Sequence, residues 1–134
     1  MKLNHTLVLL ALALGLTLAS CDKKKAPEIS NENAKEVSPT VVLIEADITG
    51  KDISEYGVVF DLSSDPSLEK GQKTNGSLEG DHFQARIILL DSGSTYYFRV
   101  FATNDQGTTY SPAMSVTISY QNVGANDNSY PAVQ

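Results

Sequence analysis

The chain has a single cysteine, Cys21, no tryptophan and only two histidines. One thiol cannot close an internal disulfide, so stability has to come from a buried apolar core. Positive charge is scarce as well. Ten Lys and Arg stand against sixteen Asp and Glu, a formal net charge of −6 over 134 residues. Nucleic-acid binding needs a basic face to meet phosphates, and this balance argues against it. No stretch carries the 3.6-residue apolar period of an amphipathic helix. The longest apolar run, Thr6 to Ala19, is short for a permanent membrane span. As a helix it would rise about 21 Å, against a hydrocarbon core of about 30 Å.

What is present at the start of the chain is a short head carrying Lys2, then that apolar run, then small residues. This is the build of an export signal, and residues 1–20 are set aside from fold reasoning. The signal closes on Leu18-Ala19-Ser20-Cys21. That run resembles the bacterial lipoprotein signal. The resemblance implies a diacylglyceryl group on the Cys21 sulfur, cleavage just before Cys21 and acylation of the new amino end. A free cysteine beside an ordinary cleavage site, or one buried in an unprocessed signal, is the plain alternative. Each buried methylene contributes about 0.8 kcal/mol, so several acyl chains together hold a domain firmly. The membrane is then the first partner, and the covalent lipid stands in place of any dissociable cofactor.

Asp22 resembles an inner-membrane retention signal of some enteric bacteria. In the Bacteroides and Flavobacterium group, acidic residues after the cysteine favour surface export instead, and here Lys23, Lys24 and Lys25 interrupt any acidic run. The expected location is the bacterial envelope, at the outer membrane, with the periplasmic or surface face left open. The three lysines read as a solvated tether or as contacts to anionic lipid, the latter at about 1 kcal/mol each near such a surface.

Residues 21–38 are expected to be the lipidated cysteine and a polar tether, with room for a short first strand near Glu28–Ser30. Residues 121–134 read as a loose polar tail. Between them, residues 39–120 show a period of two. Val42, Ile44, Ala46 and Ile48 share one face. Val58, Phe60 and Leu62 alternate with Val59 and Asp61. Phe83, Ala85 and Ile87 follow, then Tyr96, Phe98, Val100 and Ala102, then Val116, Ile118 and, as a further member, Tyr120. Gly50-Lys51-Asp52, Asp65-Pro66-Ser67, Asn75-Gly76, Asp91-Ser92-Gly93 and Asn104 to Gly107 supply turns between them. Short alternating strands at this spacing predict an all-β sandwich of about seven antiparallel strands.

Within it, Leu90, Gly93, Tyr96, Phe98, Val100, Ala102, Asn104 and Gly107 fall as the corresponding positions fall in fibronectin type III domains. Ser92 stands where that pattern has proline. The chain also resembles the fibronectin-like domains of Bacteroides-group lipoproteins, through Glu55, Gly57 and Phe60 on one strand. On a later strand the likeness runs through Tyr96, Tyr97, Arg99, Val100, Ala102, Thr103, Asn104, Gly107 and Tyr110. It covers about Pro39 to Tyr120 and implies an immunoglobulin-like sandwich. It also implies a corner role for Tyr96, bonded to nearby backbone, a core plug for Leu90, a turn glycine at Gly93, and a tight turn at Gly107 held by Asn104.

Residues with catalytic chemistry do not converge. His82 beside Asp81 is one histidine, and zinc needs three or four ligands. Asp61 and Asp65 could approach one another, but paired-carboxylate glycoside cleavage needs a cleft. The loops Asp47–Asp52 and Asp61–Glu69 lack the spacing of a calcium motif. By alternation Tyr97, Arg99 and Phe101 face away from the core, with Tyr110 able to join them. Aromatics around an arginine either brace neighbouring strands or form a contact surface for a protein or glycan. The expected function is therefore a lipid-anchored, non-enzymatic module for protein or envelope interaction. The alternative is a carbohydrate-binding accessory of a polysaccharide uptake system.

Overall fold

Strand β2, Val41–Thr49, alternates half-buried and fully buried residues along almost its whole length. Its buried set, Val42, Ile44, Ala46 and Ile48, faces the same core as Phe83, Ala85 and Ile87 of β6, His82–Ile87. Those two strands pair antiparallel. The computed structural model describes residues 23–120, and among them the chain is all β, with no helix. The remaining strands are β1 Glu28–Ser38, β3 Glu55–Asp61, β4 Gln72–Thr74, β5 Ser77–Glu79, β7 Thr95–Asn104, β8 Gly107–Tyr110 and β9 Met114–Thr117.

They form two antiparallel sheets. The first has the order β1-β2-β6-β5. The second has the order β4-β3-β7-β8, with β9 also on β7. Strand β8 pairs the C-terminal half of β7 and β9 pairs its N-terminal half, so β8 and β9 act as one interrupted strand. The nine strands exceed the expected seven because of this interruption and because β4 and β5 have only three residues each.

The inner faces meet as alternation requires. Val58, Phe60, Tyr96, Phe98, Val100 and Ala102 of the second sheet lie against the buried set of the first, with Leu90 and Ile118 at the margin. Phe60 stacks on Phe98 at 6.0 Å, and Tyr56 meets Phe83 of the opposite sheet edge-on at 6.0 Å. Such aromatic pairs contribute about 0.5–1.5 kcal/mol beyond the area they bury.

Three positions depart from the sequence expectation. The first strand runs over 11 residues to Ser38, well past Glu28–Ser30, and the folded unit reaches back to the fully buried Pro27. Its polar composition suits an edge strand, which has one neighbour and packs only Ile29 and Ala34 of its apolar residues against the core, in part. Leu62, expected in the core, is 56% exposed, because β3 ends at Asp61 and the chain turns away. Tyr120 is 76% exposed; β9 stops at Thr117, and the tyrosine ring lies over Gly93 instead.

Candidate functional site

The outer face of the second sheet is where the sequence places its contact residues. Consecutive apolar residues on β3 and β7 give the first clue to its character. Val58, Val59 and Phe60 are all buried, and so are Val100, Phe101 and Ala102. A strand with one wet face cannot bury consecutive residues. Something therefore covers the outer side of Val59 and Phe101.

The cover is the connection from Leu62 to Gly71, which folds back across the sheet. Arg99 Nη1 donates to Asp65 Oδ1 at 2.8 Å. The Leu68 amide donates to the Tyr110 hydroxyl at 3.2 Å. Between these two anchors Pro66 is fully buried. The connection has its own turn, with Ser67 and Lys70 exchanging backbone hydrogen bonds at 2.8 and 3.1 Å. Asp61 Oδ1 accepts the Leu62 amide at its start, and Gly71 ends it at φ +132°, where a side chain would be strained and its Cβ would press on the Phe60 carbonyl.

Tyr97, Arg99, Phe101 and Tyr110 do lie on this one face, but they do not form an open platform. Phe101 is fully buried, which corrects the expectation of an outward-facing contact residue. Its ring lies over Gly57 and 6.4 Å from the ring of Tyr110. Any Cβ at position 57 would stand 2.5 Å from the Thr74 carbonyl and 3.0 Å from the Phe101 ring. The glycine between Glu55 and Val58 is thus required by close approach. Glu55 itself pairs with Lys73 of the neighbouring strand at 2.6 Å.

Arg99 is the centre of the face. Besides Asp65, its Nε donates to the Ser111 carbonyl at 2.9 Å, and its guanidinium lies 4.9 Å from the centroid of the Tyr110 ring. Ser111 is buried; its hydroxyl accepts the Val100 amide at 2.9 Å and donates to the Pro112 carbonyl at 3.0 Å. This places the break between β8 and β9. The sequence offers Asp65 as a turn residue and as a candidate partner of Asp61, and Pro66 as a turn residue; it does not single out Leu68 or Ser111. The signal that could have found them is the doubled apolar run on β3 and β7, which demands a second cover.

The residues expected to be structural lie as follows. Leu90 is buried at the core margin, and Gly93 adopts φ +79° in the turn before β7. The Asp91 amide donates to the Tyr96 hydroxyl, which donates in turn to Asp91 Oδ2, both at 3.2 Å. Asn104 Oδ1 accepts the Gln106 amide at 2.9 Å, and Gly107 closes that turn at φ +141°. Asn104 Nδ2 also donates to the carbonyls of Lys25 at 2.7 Å and Lys51 at 3.1 Å.

Lys24 completes this end of the domain by pairing with Asp52 at 2.9 Å and Asp105 at 3.2 Å. Donating to the Asp52 carboxylate raises the Lys24 pKa, and the same bond holds the Asp52 carboxyl below its ordinary range. Cys21 lies outside the described residues.

His82 sits on the polar outer face of the first sheet, in register with Asp47 and 3.7 Å from it. Among the described residues no three His, Cys, Asp or Glu side chains gather as a metal site would need. No known family model matches the chain, and no curated protein sequence matches it.

Proposed function

We propose that the protein is a lipid-anchored, non-enzymatic component of the bacterial envelope, at the outer membrane. Its fibronectin type III-like module would serve contact with another protein or envelope component. The observation that carries this reading is Cys21 itself, set after an apolar run and small residues, with the folded unit starting close behind it at Pro27. An extended segment from Cys21 to Pro27 spans about 20 Å at most. Lys24 and Lys25 are already tied to the Asp52, Asn104 and Asp105 end of the sandwich. A lipid on Cys21 would therefore hold that end of the domain close to the bilayer.

The strand order supports the immunoglobulin-like part of the reading. Taken as A, B, E and D, the strands β1-β2-β6-β5 follow the order of one immunoglobulin sheet. The other sheet, β4-β3-β7-β8, then follows C′, C, F and G. The Tyr96 hydroxyl reaches back five residues to Asp91, as a tyrosine corner does. A module reading also suits the buried polar side chains. Asn104 and Ser111 both spend their hydrogen bonds on backbone groups of the fold. Phe101 is buried, so of the two rings that the carbohydrate reading rests on only Tyr97 is left partly exposed, and the protein-contact reading is preferred.

Metabolic labelling with radioactive palmitate tests the anchor. Label is expected in the wild-type chain and absent from Cys21→Ser, which should also leave the membrane fraction. Wild-type protein that takes up no label would end the proposal.

A further inference from the structure

The Leu62–Gly71 strap fills the Arg99 site much as a ligand would. Its Asp65 presents a carboxylate to Arg99, and the next residue, Pro66, is buried on the sheet. We infer that the strap is a displaceable occupant of a recognition site. The site's partner ligand would be a protein segment carrying a carboxylate followed by proline, which takes the place of the strap on Arg99 and Tyr110. This rests on the reading of the domain as an interaction module, and not on the lipid anchor.

Two features make the site more than a packed loop. First, the receptor side is held without help from the strap. Arg99 Nε donates to the Ser111 carbonyl and the guanidinium lies against Tyr110, two contacts made by residues outside the strap, while Nη1 is left to meet the carboxylate. A binding group fixed in advance loses less entropy when its ligand arrives. Second, the polar fastening of the strap is light, its apolar hold resting on the buried Pro66. The Asp65 side chain is 87% exposed, so the ion pair is screened by water, and exposed pairs contribute only about 0–1 kcal/mol. The other visible polar fastening is the Leu68 amide on the Tyr110 hydroxyl at 3.2 Å. The strap's internal Ser67–Lys70 turn lets it keep its shape while it lifts between Asp61 and Gly71.

A cis occupant competes at an effective concentration on the order of millimolar. A free segment therefore meets a masked site in the wild-type protein and an open one once the strap is disabled. The probe is the synthetic peptide of residues 61–71, titrated by NMR into the wild-type chain and into the double variant Asp65→Ala, Pro66→Gly. The variant is expected to bind the peptide at least tenfold more tightly than wild type. A peptide carrying Asp65→Ala should lose that gain.

A folded variant that binds the peptide no better than wild type overturns the inference. So does a variant that fails to fold, since the strap is then part of the core. Hydrogen exchange on the wild-type chain gives an independent reading. The Leu68 amide should exchange at least a hundredfold faster than the Val100 amide. Equal rates would mean the strap opens only when the whole domain unfolds. Neither measurement involves Cys21, so a failed lipid-labelling experiment and a failed strap experiment are told apart.

Discussion

Asn104 joins three pieces of chain with one side chain: the incoming segment at Lys25, the β2–β3 loop at Lys51 and the β7–β8 turn at Gln106. It is 5% exposed, so these bonds are sheltered from water. Replacing it with alanine strands two carbonyls and an amide. Each lost bond costs about 1 kcal/mol. Asn104→Ala is expected to lower stability by about 2–3 kcal/mol, read as a lower urea midpoint at unchanged slope. The sequence marks this asparagine through the spacing from Tyr96 to Gly107, but not its reach to Lys25 and Lys51. Those partners lie 79 and 53 residues away along the chain. Turn chemistry is local and can be read from neighbours; a contact across that separation cannot.

Strand β3 shows the same division at the scale of an element. Its alternation identifies Val58 and Phe60 as core, and they are. The pattern then extends one residue pair too far, to Leu62, and leaves Val59 on the wet side. In the fold Val59 is fully buried under the strap while Leu62 is 56% exposed. Deleting two methyl groups from a buried valine costs their transfer energy plus the cavity, about 2–3 kcal/mol. Val59→Ala should therefore lower the urea midpoint clearly, whereas Leu62→Ala should change stability by less than about 0.5 kcal/mol. The reverse order would mean that the strap does not cover the sheet. Strand β1 escapes the pattern for a different reason. As an edge strand it makes register shifts at Asn31–Glu32 and at Val37, which break its alternation. Glu36 nonetheless faces inward from it and accepts both the Ser119 amide at 3.0 Å and the Ser119 hydroxyl at 2.6 Å, holding the chain after β9.

At the scale of the molecule, one contiguous core joins both sheets. Among the described residues it has neither a disulfide nor a metal cluster to divide or staple it. A domain of this size with one core unfolds as a unit. Urea unfolding followed by circular dichroism and by tyrosine fluorescence should give superimposable single transitions. The urea slope should be about 1 kcal/mol per molar. Reducing agent and EDTA should leave the midpoint unchanged. Two separated transitions, or a shift with EDTA, would show a second folding unit or a bound metal. The charge excess suits this arrangement, because the outer face of the first sheet is polar. There Glu45 accepts from Gln84 at 3.2 Å and Asp47 accepts from Asn31 at 2.7 Å.

By itself the sequence determined the all-β class, most residues of the inner faces and the turn from Asn104 to Gly107. These follow from a two-residue side-chain period and from local turn geometry, both of which are written in neighbouring letters. Only the tertiary structure decided what covers the outer face of the second sheet. Whether that face meets solvent depends on where the Leu62–Gly71 connection, with its buried Pro66, comes to rest. That is set by Arg99 and Tyr110, which are distant in sequence and adjacent only after the sheet has formed.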